Sequence, residues 1–135
     1  MEIEISLNDE INTEEVINLY KVNNWSAASK PDVLIKALRN SDSLVTARIS
    51  GELVGIGNAI SDQHLVVYYP HMLVHPKYQR KGIGKSMMKT LKDKYAGFHQ
   101  QMLTADVEAV EFYKTLGFER AGKTESMWVY DGDEH

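Results

Sequence analysis

The run from Leu65 to Tyr95 constrains this chain more than any other. Leu65-Val66-Val67-Tyr68-Tyr69 and then Met72-Leu73-Val74 are rich in branched and aromatic side chains and predict a strand that Pro76 ends. Pro70 falls inside that strand, where it removes a ladder donor, so the strand is expected to be splayed or bulged there. Ile83, Met87, Met88, Leu91 and Tyr95 then recur on one helical face, with Lys85, Lys89, Lys92 and Lys94 mostly off it. The connection between strand and helix carries Lys77, Arg80, Lys81 and Gly82. A strand that enters a helix through a basic, glycine-bearing loop makes a natural anion site. Successive N–H groups converge at the helix start, and the positive end of the helix dipole faces the same way.

The rest of the chain reads as an α+β fold built around this unit. Glu2 to Ser6 alternates polar and apolar residues, as a half-buried first strand does. Asn12-Thr13-Glu14-Glu15 has the capping residues of a helix start, and Val16, Leu19 and Tyr20 give that helix an apolar face. Pro31 opens a second helix, with Val33, Leu34, Ala37 and Leu38 as its expected face. Ser43 to Ile49 and Leu53 to Ile60 read as a hairpin around Ser50-Gly51-Glu52. Past Tyr95, Phe98 to Thr104 predicts a strand, Asp106 caps a further helix, and Phe118 to Ala121 and Ser126 to Tyr130 predict two closing strands. Asp131 to His135 are expected to be loose. The order β-α-α-β-β-β-α-β-α-β-β, with its antiparallel hairpins, argues against a doubly wound parallel sheet. Residues 1–135 are read as one domain, long enough to bury a proper core.

Several chemistries are excluded. The absence of Cys removes disulfides, thiolate metal sites and a Cys nucleophile. His71 and His75, four residues apart on a strand, are too distant to share an ion, so no metal is expected. No apolar run reaches membrane-spanning length, and Met1 to Ile5 lacks the basic region and apolar core of a signal peptide. The expected location is cytoplasmic, with no membrane partner. A net charge of −4 argues against nucleic acid and suits a cationic small-molecule partner.

Two phosphate-binding patterns compete at the central loop. Gly84-Lys85-Ser86 matches the end of the P-loop pattern G-x-x-x-x-G-K-S/T, but its first glycine would fall on Gln79. The pattern Q/R-x-x-G-x-G/A is filled completely by Gln79, Gly82 and Gly84. Downstream, Glu108-Ala109-Val110-Glu111-Phe112-Tyr113-Lys114-Thr115-Leu116-Gly117-Phe118 ends in Y-x-x-L-G-F. On these two motifs the chain resembles the GNAT acetyltransferase superfamily, over roughly Ser43 to Tyr130, and the element order above is also the superfamily's.

The resemblance implies the GNAT fold, a mixed and mostly antiparallel sheet with a splayed central strand pair and helices on both faces. It implies acetyl-CoA as co-substrate. The pyrophosphate would lie on the loop and helix start formed by Gln79, Arg80, Lys81, Gly82, Ile83, Gly84, Lys85 and Ser86, where a Cβ at either glycine would hold the backbone off the ligand. The pantetheine arm would follow Met72, Leu73 and Val74, with the Met72 N–H polarising the thioester carbonyl. Asp106, Ala109, Phe112 and Tyr113 complete the implied cofactor surface. Tyr113 matches the family's acid, which returns a proton to the departing thiolate.

The base is left between two residues. Asp106 stands where the family often has Asn, and it also suits a helix cap; His71, with an ordinary pKa near 6.5, stands where relatives often carry an acid. Strand alternation puts His71 opposite Met72 unless a bulge intervenes, and puts Tyr68 on the face of Met72. For the acceptor, the candidates are Tyr20, Trp25, Tyr68, Trp128 and Tyr130, with Asp62 or Glu125 to hold a cation. The segment from Asp106 to Phe118, paired with Met127-Trp128-Val129-Tyr130, resembles plant serotonin N-acetyltransferases and their small bacterial relatives, which implies an arylalkylamine or other small primary amine. A protein amine is the rival acceptor. A non-catalytic acyl-CoA-binding regulatory module and a P-loop nucleotide binder are the readings from other classes. The resemblance leaves room for a homodimer, since many members pair, and no stretch specifies an interface.

Overall fold

The computed structural model of the chain describes residues 2–133. In chain order its regular elements are β1 (Ile3–Leu7), α1 (Thr13–Val22), α2 (Pro31–Arg39), β2 (Ser43–Ile49), β3 (Glu52–Ser61), β4 (Val66–Tyr68), β5 (Met72–Val74), α3 (Ile83–Lys94), β6 (Gln100–Met102) and α4 (Val110–Thr115). Sequence chemistry accounts for the main boundaries. Asn12 and Glu15 form a reciprocal capping box at the start of α1, Oδ1 accepting from the Glu15 N–H at 2.9 Å and the Glu15 carboxylate accepting from the Asn12 N–H at 3.0 Å. Ser50 and Gly51 both take positive φ (50° and 82°), the geometry of a tight turn that matches the twist of the β2–β3 hairpin.

The sheet runs β1-β2-β3-β4-β6, with β5 also paired to β3. All its pairs are antiparallel except β4–β6. Two cores lie on its two faces. On one face Val16, Ile17, Leu19 and Tyr20 of α1 and Leu34, Ile35 and Leu38 of α2 pack with Leu44, Leu53, Ile56 and Leu73. On the other Ile83, Met87, Met88, Leu91 and Tyr95 pack with Val45, Ala47, Val54, Ala59, Val67 and Tyr69. The α3 stripe read from the sequence is therefore the buried one. The α2 stripe is turned: Val33 is 65% exposed, Ala37 is also exposed, and Ile35 is buried in their place.

Two further expectations are corrected. The strand predicted over 98–104 is only Gln100–Met102. Its partner β4 stops at Tyr68, so Leu103 and Thr104 have nothing to pair with. The two closing strands do not form. Residues 119–133 are exposed throughout, and hydrogen bonds from the Gly122 N–H to the Arg120 carbonyl (2.8 Å) and from the Thr124 N–H to the Ala121 carbonyl (3.1 Å) curl the chain locally. A strand needs a paired edge, and the segment is instead tied to the connection between α1 and α2. The Tyr130 hydroxyl bonds Ser26 Oγ at 3.1 Å, and Lys30 Nζ donates to the Asp131 carbonyl at 2.7 Å. Among residues expected to be loose, Asp131 is thus anchored; Glu134 and His135 lie outside the described residues.

Arg48, near the end of β2, ties the sheet to the start of α1. It grips Glu15 through both guanidinium ends at 2.8 Å, reaches Asp9 at 3.3 Å, and donates to the Glu10 and Gly51 carbonyls. The Arg48 hydrogen bonds hold the Glu15 carboxyl below the usual carboxylate range. Because the folded pKa lies below the unfolded one, this stabilisation is full at neutral pH and drains away as pH falls through the folded value. Arg48→Met is expected to cost about 2–3 kcal/mol near neutral pH and to flatten the acid side of the stability profile. Denaturant midpoints of both proteins from neutral to acid pH measure it.

Candidate active site

Pro70 marks a β-bulge. Ile60 of β3 faces Tyr68 and Gly57 faces Met72, so three steps along β3 correspond to four along the opposing chain. The extra residue reverses the alternation of side chains. Met72 and Val74 pack on the α3 face, whereas Leu73 is buried against α1 and α2. His71 emerges on the α1 side, its Nδ1 2.7 Å from the Tyr20 hydroxyl and its ring edge-on to Trp25 at 5.1 Å. Tyr68, opposite Ile60, lies on that side as well. The expectation that Tyr68 shares the face of Met72 is therefore corrected, and the bulge is the reason.

The bulge also opens the sheet. Towards β3 the ladder uses alternate residues: the Asn58 N–H donates to the His71 carbonyl (3.0 Å) and the His75 N–H to the Val54 carbonyl (2.7 Å). In that register the N–H groups of Met72 and Val74 point away from β3. On that other side β6 has already parted, since its last rung is Tyr68 to Met102 and the Tyr69 N–H makes the final bond to the Met102 carbonyl. Below Tyr69 a cleft of about 930 Å³ separates Met72 from Leu103, Thr104, Ala105 and Asp106. Met88 lines it from α3, and Ala109 and Tyr113 from the α4 side. It continues through the sheet to Trp25, Tyr68, His71, Trp128 and Tyr130.

At one end of β5 the basic loop enters α3. Gly82 is the helix cap with φ +83°, and a methyl there would meet no atom within 4 Å; its requirement is for backbone conformation, not space. The first helical N–H to find a partner is that of Ser86, which donates to the Gly82 carbonyl at 3.0 Å. The N–H groups of Ile83, Gly84 and Lys85 precede it and have no partner within the helix. Arg80, Lys81 and Lys85 are exposed around them, while the Ile83 side chain is buried in the core. Gly84 lies between Val74 and Phe112, whose ring would be 3.5 Å from a methyl at that position. The Gln79 side chain turns back to β5, donating to the Val74 carbonyl at 3.0 Å.

Tyr113 is half-buried with rings edge-on at Phe112 (5.1 Å) and Phe118 (5.9 Å). Burial, reinforced by the Asp106 carboxylate, pushes its phenol above the ordinary value. Asp106 begins the short helical turn ahead of α4 through its backbone, its carbonyl accepting from the Ala109 N–H at 2.8 Å. Its side chain makes no cap bond, contrary to expectation, and lines the cleft instead.

Three acceptor candidates are misplaced by sequence reasoning. Tyr20 is fully buried behind His71 and does not line the cleft. Asp62 Oδ1 is occupied by the N–H groups of His64, Leu65 and Val66 at 2.8–3.1 Å, closing the turn before β4. Glu125 is exposed outside the cleft. Conversely, Met88 lines the cleft without having been singled out, and Asn58, one strand away, bonds the bulge at His71. Met88 read only as core; Asn58 had one signal, a polar side chain in the apolar run from Leu53 to Ile60.

A family model described as an acetyltransferase (GNAT) domain matches residues 8–127. The chain belongs to the GNAT acetyltransferase family. It is 30% identical over 122 residues to an uncharacterised N-acetyltransferase, ycf52, of Gracilaria tenuistipitata var. liui, a match covering 84% of this chain and 65% of that protein. This GNAT chain therefore spans just under two thirds of that curated relative's length. Among solved structures, a GNAT-family acetyltransferase of Streptococcus pneumoniae superposes with a TM-score of 0.83 at 28% identity, covering 96% of this chain and 98% of that one. An aminoglycoside N-acetyltransferase solved in complex with CoA shares the fold at a TM-score of 0.71 and 16% identity, covering 96% of this chain and 94% of that one. Among the described residues, no helix of this GNAT protein is long and apolar enough to cross a membrane.

Proposed function

We propose that this protein transfers the acetyl group of acetyl-CoA to the primary amine of a small molecule, by direct attack with both bound. One observation carries the reading: Met72 turns an unpaired backbone N–H into the same cleft that Tyr113 and Asp106 line, beside a helix start with free N–H groups. Acetyl-CoA supplies an activated thioester. The N–H groups of Ile83, Gly84 and Lys85, with Arg80, Lys81 and Lys85 around them, hold its diphosphate. The open edge of Met72 and Val74 takes the amides of the pantetheine arm as it would a peptide strand.

The Met72 N–H donates to the thioester oxygen, and its bond strengthens as negative charge develops there. The amine lone pair attacks the carbonyl carbon and the carbon–sulfur bond breaks. The sulfur leaves with the proton of the Tyr113 hydroxyl, and the surplus proton on the nitrogen passes to Asp106. His71 has a different part. The Tyr20 hydroxyl is enclosed, and His71 Nδ1 is 2.7 Å from it. A phenol that only accepted there would bury its own proton unsatisfied, so Tyr20 donates to the imidazole and fixes the ring. His71, held by that bond, shapes the acceptor end of the cleft. Trp25, Tyr68 and the Trp128–Tyr130 stack (4.2 Å, 15°) make the walls aromatic, which fits an arylalkylamine, its ring against ring faces and its cation within reach of them.

Steady-state acetylation of a phenylethylamine, a plain alkylamine and a lysine peptide tests this. Trp128→Ala is expected to raise KM for the arylalkylamine by about tenfold with little change for the alkylamine. A lysine peptide with the highest kcat/KM, unaffected by Trp128→Ala, contradicts the small-molecule reading and favours a protein acceptor.

A further inference from the structure

Asn58 is a buried polar side chain, 4% exposed, in the middle of β3. Its backbone and side chain both bind the bulge. The Asn58 N–H donates to the His71 carbonyl at 3.0 Å. In a regular antiparallel rung the His71 N–H would return a bond to the Asn58 carbonyl. Here it goes to the Asn58 side chain, Oδ1 accepting at 3.1 Å. The other end of the amide is fixed too, since Nδ2 donates to Ser41 Oγ at 2.9 Å and Ser41 Oγ donates to the Ala37 carbonyl at the end of α2, also at 2.9 Å. The side-chain carbonyl therefore replaces the main-chain one as a ladder acceptor. That displacement accommodates the extra residue of the bulge without stranding the His71 N–H in the interior.

We infer that Asn58 is a positioning residue for acetyl transfer: by clamping His71 it sets the peptide that follows, and so aims the Met72 N–H into the cleft. The inference rests on the reading of the cleft given above. Asn58 itself touches neither reactant in this account; it acts through the backbone between His71 and Met72. An N–H serves a developing oxyanion only when it is already aimed at it, so loss of the clamp should appear in turnover and leave cofactor binding at the loop intact.

The test compares the wild type with Asn58→Ala, Asn58→Asp and Ser41→Ala. Asn58→Asp keeps an oxygen for the His71 N–H, whereas Asn58→Ala removes it. Expected is a fall in kcat of about tenfold or more for Asn58→Ala, with KM for acetyl-CoA changed less than about twofold and most of the rate retained in Asn58→Asp. Ser41→Ala, on a half-buried residue whose hydroxyl is the only group removed, keeps the fold and loosens only the far anchor; kcat should fall by about threefold, which carries the test should Asn58→Ala not fold. Unchanged kcat in Ser41→Ala and Asn58→Ala, or equal losses in Asn58→Ala and Asn58→Asp, would overturn the assignment. A second readout is independent of turnover. The His71 amide proton should exchange with solvent about tenfold faster or more in Asn58→Ala than in the wild type or Asn58→Asp. Unaltered exchange removes the clamp, whatever the enzyme does; an altered exchange in a protein that binds no acetyl-CoA keeps the clamp and removes the acetyl-transfer reading alone.

Discussion

Tyr113→Phe is expected to lower kcat by about ten- to a hundredfold while leaving KM for acetyl-CoA within about twofold of the wild type. The phenol lines the cleft beside Asp106 and opposite Met72, and its ring is fixed by Phe112 and Phe118. Removing only the hydroxyl keeps that packing and takes away the proton. The loss is bounded because a coenzyme thiolate leaves tolerably well unaided. Burial and the neighbouring Asp106 carboxylate raise the phenol's pKa above its ordinary value, and the sign of that shift matters. A raised pKa keeps the proton on Tyr113 beyond the pH at which a free phenol would lose it. The wild-type rate should therefore hold on the alkaline side up to that point, and no alkaline limb below it should vanish in the Phe variant. A kcat equal to wild type in Tyr113→Phe removes the acid assignment.

The second large effect is expected at Gly82. Its φ of +83° is a left-handed conformation that costs a residue with a Cβ about 1–2 kcal/mol, and a branched residue more. Since a methyl would meet nothing within 4 Å, the protein can adjust around a larger side chain, and the strain falls on the loop itself. The loop escapes by leaving the left-handed region, which turns the N–H groups at the start of α3 away from a common point. Gly82→Val should weaken acetyl-CoA binding by about thirtyfold or more, with a melting temperature lowered by only a few degrees, about the size such strain accounts for. Gly82→Asn, which tolerates the conformation, should bind within about fivefold of wild type. Isothermal titration of the three proteins with acetyl-CoA separates this from general unfolding. Equal affinity in Gly82→Val would mean that the diphosphate does not sit on this loop.

What could be read from the sequence follows from what local pattern records. The stripe Ile83, Met87, Met88, Leu91 and Tyr95 was legible because burial on one helical face writes a 3.6-residue period. The loop was legible because glycine and charge stand there at fixed spacing. Pro70 announced an irregular strand but not its consequence. Whether a bulge moves His71 and Tyr68 to one face depends on the register with β3, which is a property of two segments and not of one. Asp62 and Asp106 are both carboxylates near turns, yet one is saturated by three backbone N–H groups and the other has no side-chain cap bond. That difference is set by a few ångströms of local geometry. The closing strands failed for a related reason. Ser126 to Tyr130 has the composition of a strand, but Ser126, Met127, Trp128 and Tyr130 all line the cleft and only Val129 of the stretch does not. The segment is a wall of the cleft in place of a strand beside a sheet neighbour.

The most direct measurement is the release of free thiol from acetyl-CoA by the purified protein as a small arylalkylamine is titrated in, with parallel calorimetry of acetyl-CoA binding. The account predicts saturable release that requires the amine, with the acetylated amine as product and one acetyl-CoA bound per chain. Absence of both release and acetyl-CoA binding would contradict it at its centre, the loop from Gln79 to Lys85 and the open edge at Met72. Tight acetyl-CoA binding with no release to any amine would contradict the catalytic part alone and leave an acyl-CoA-binding module.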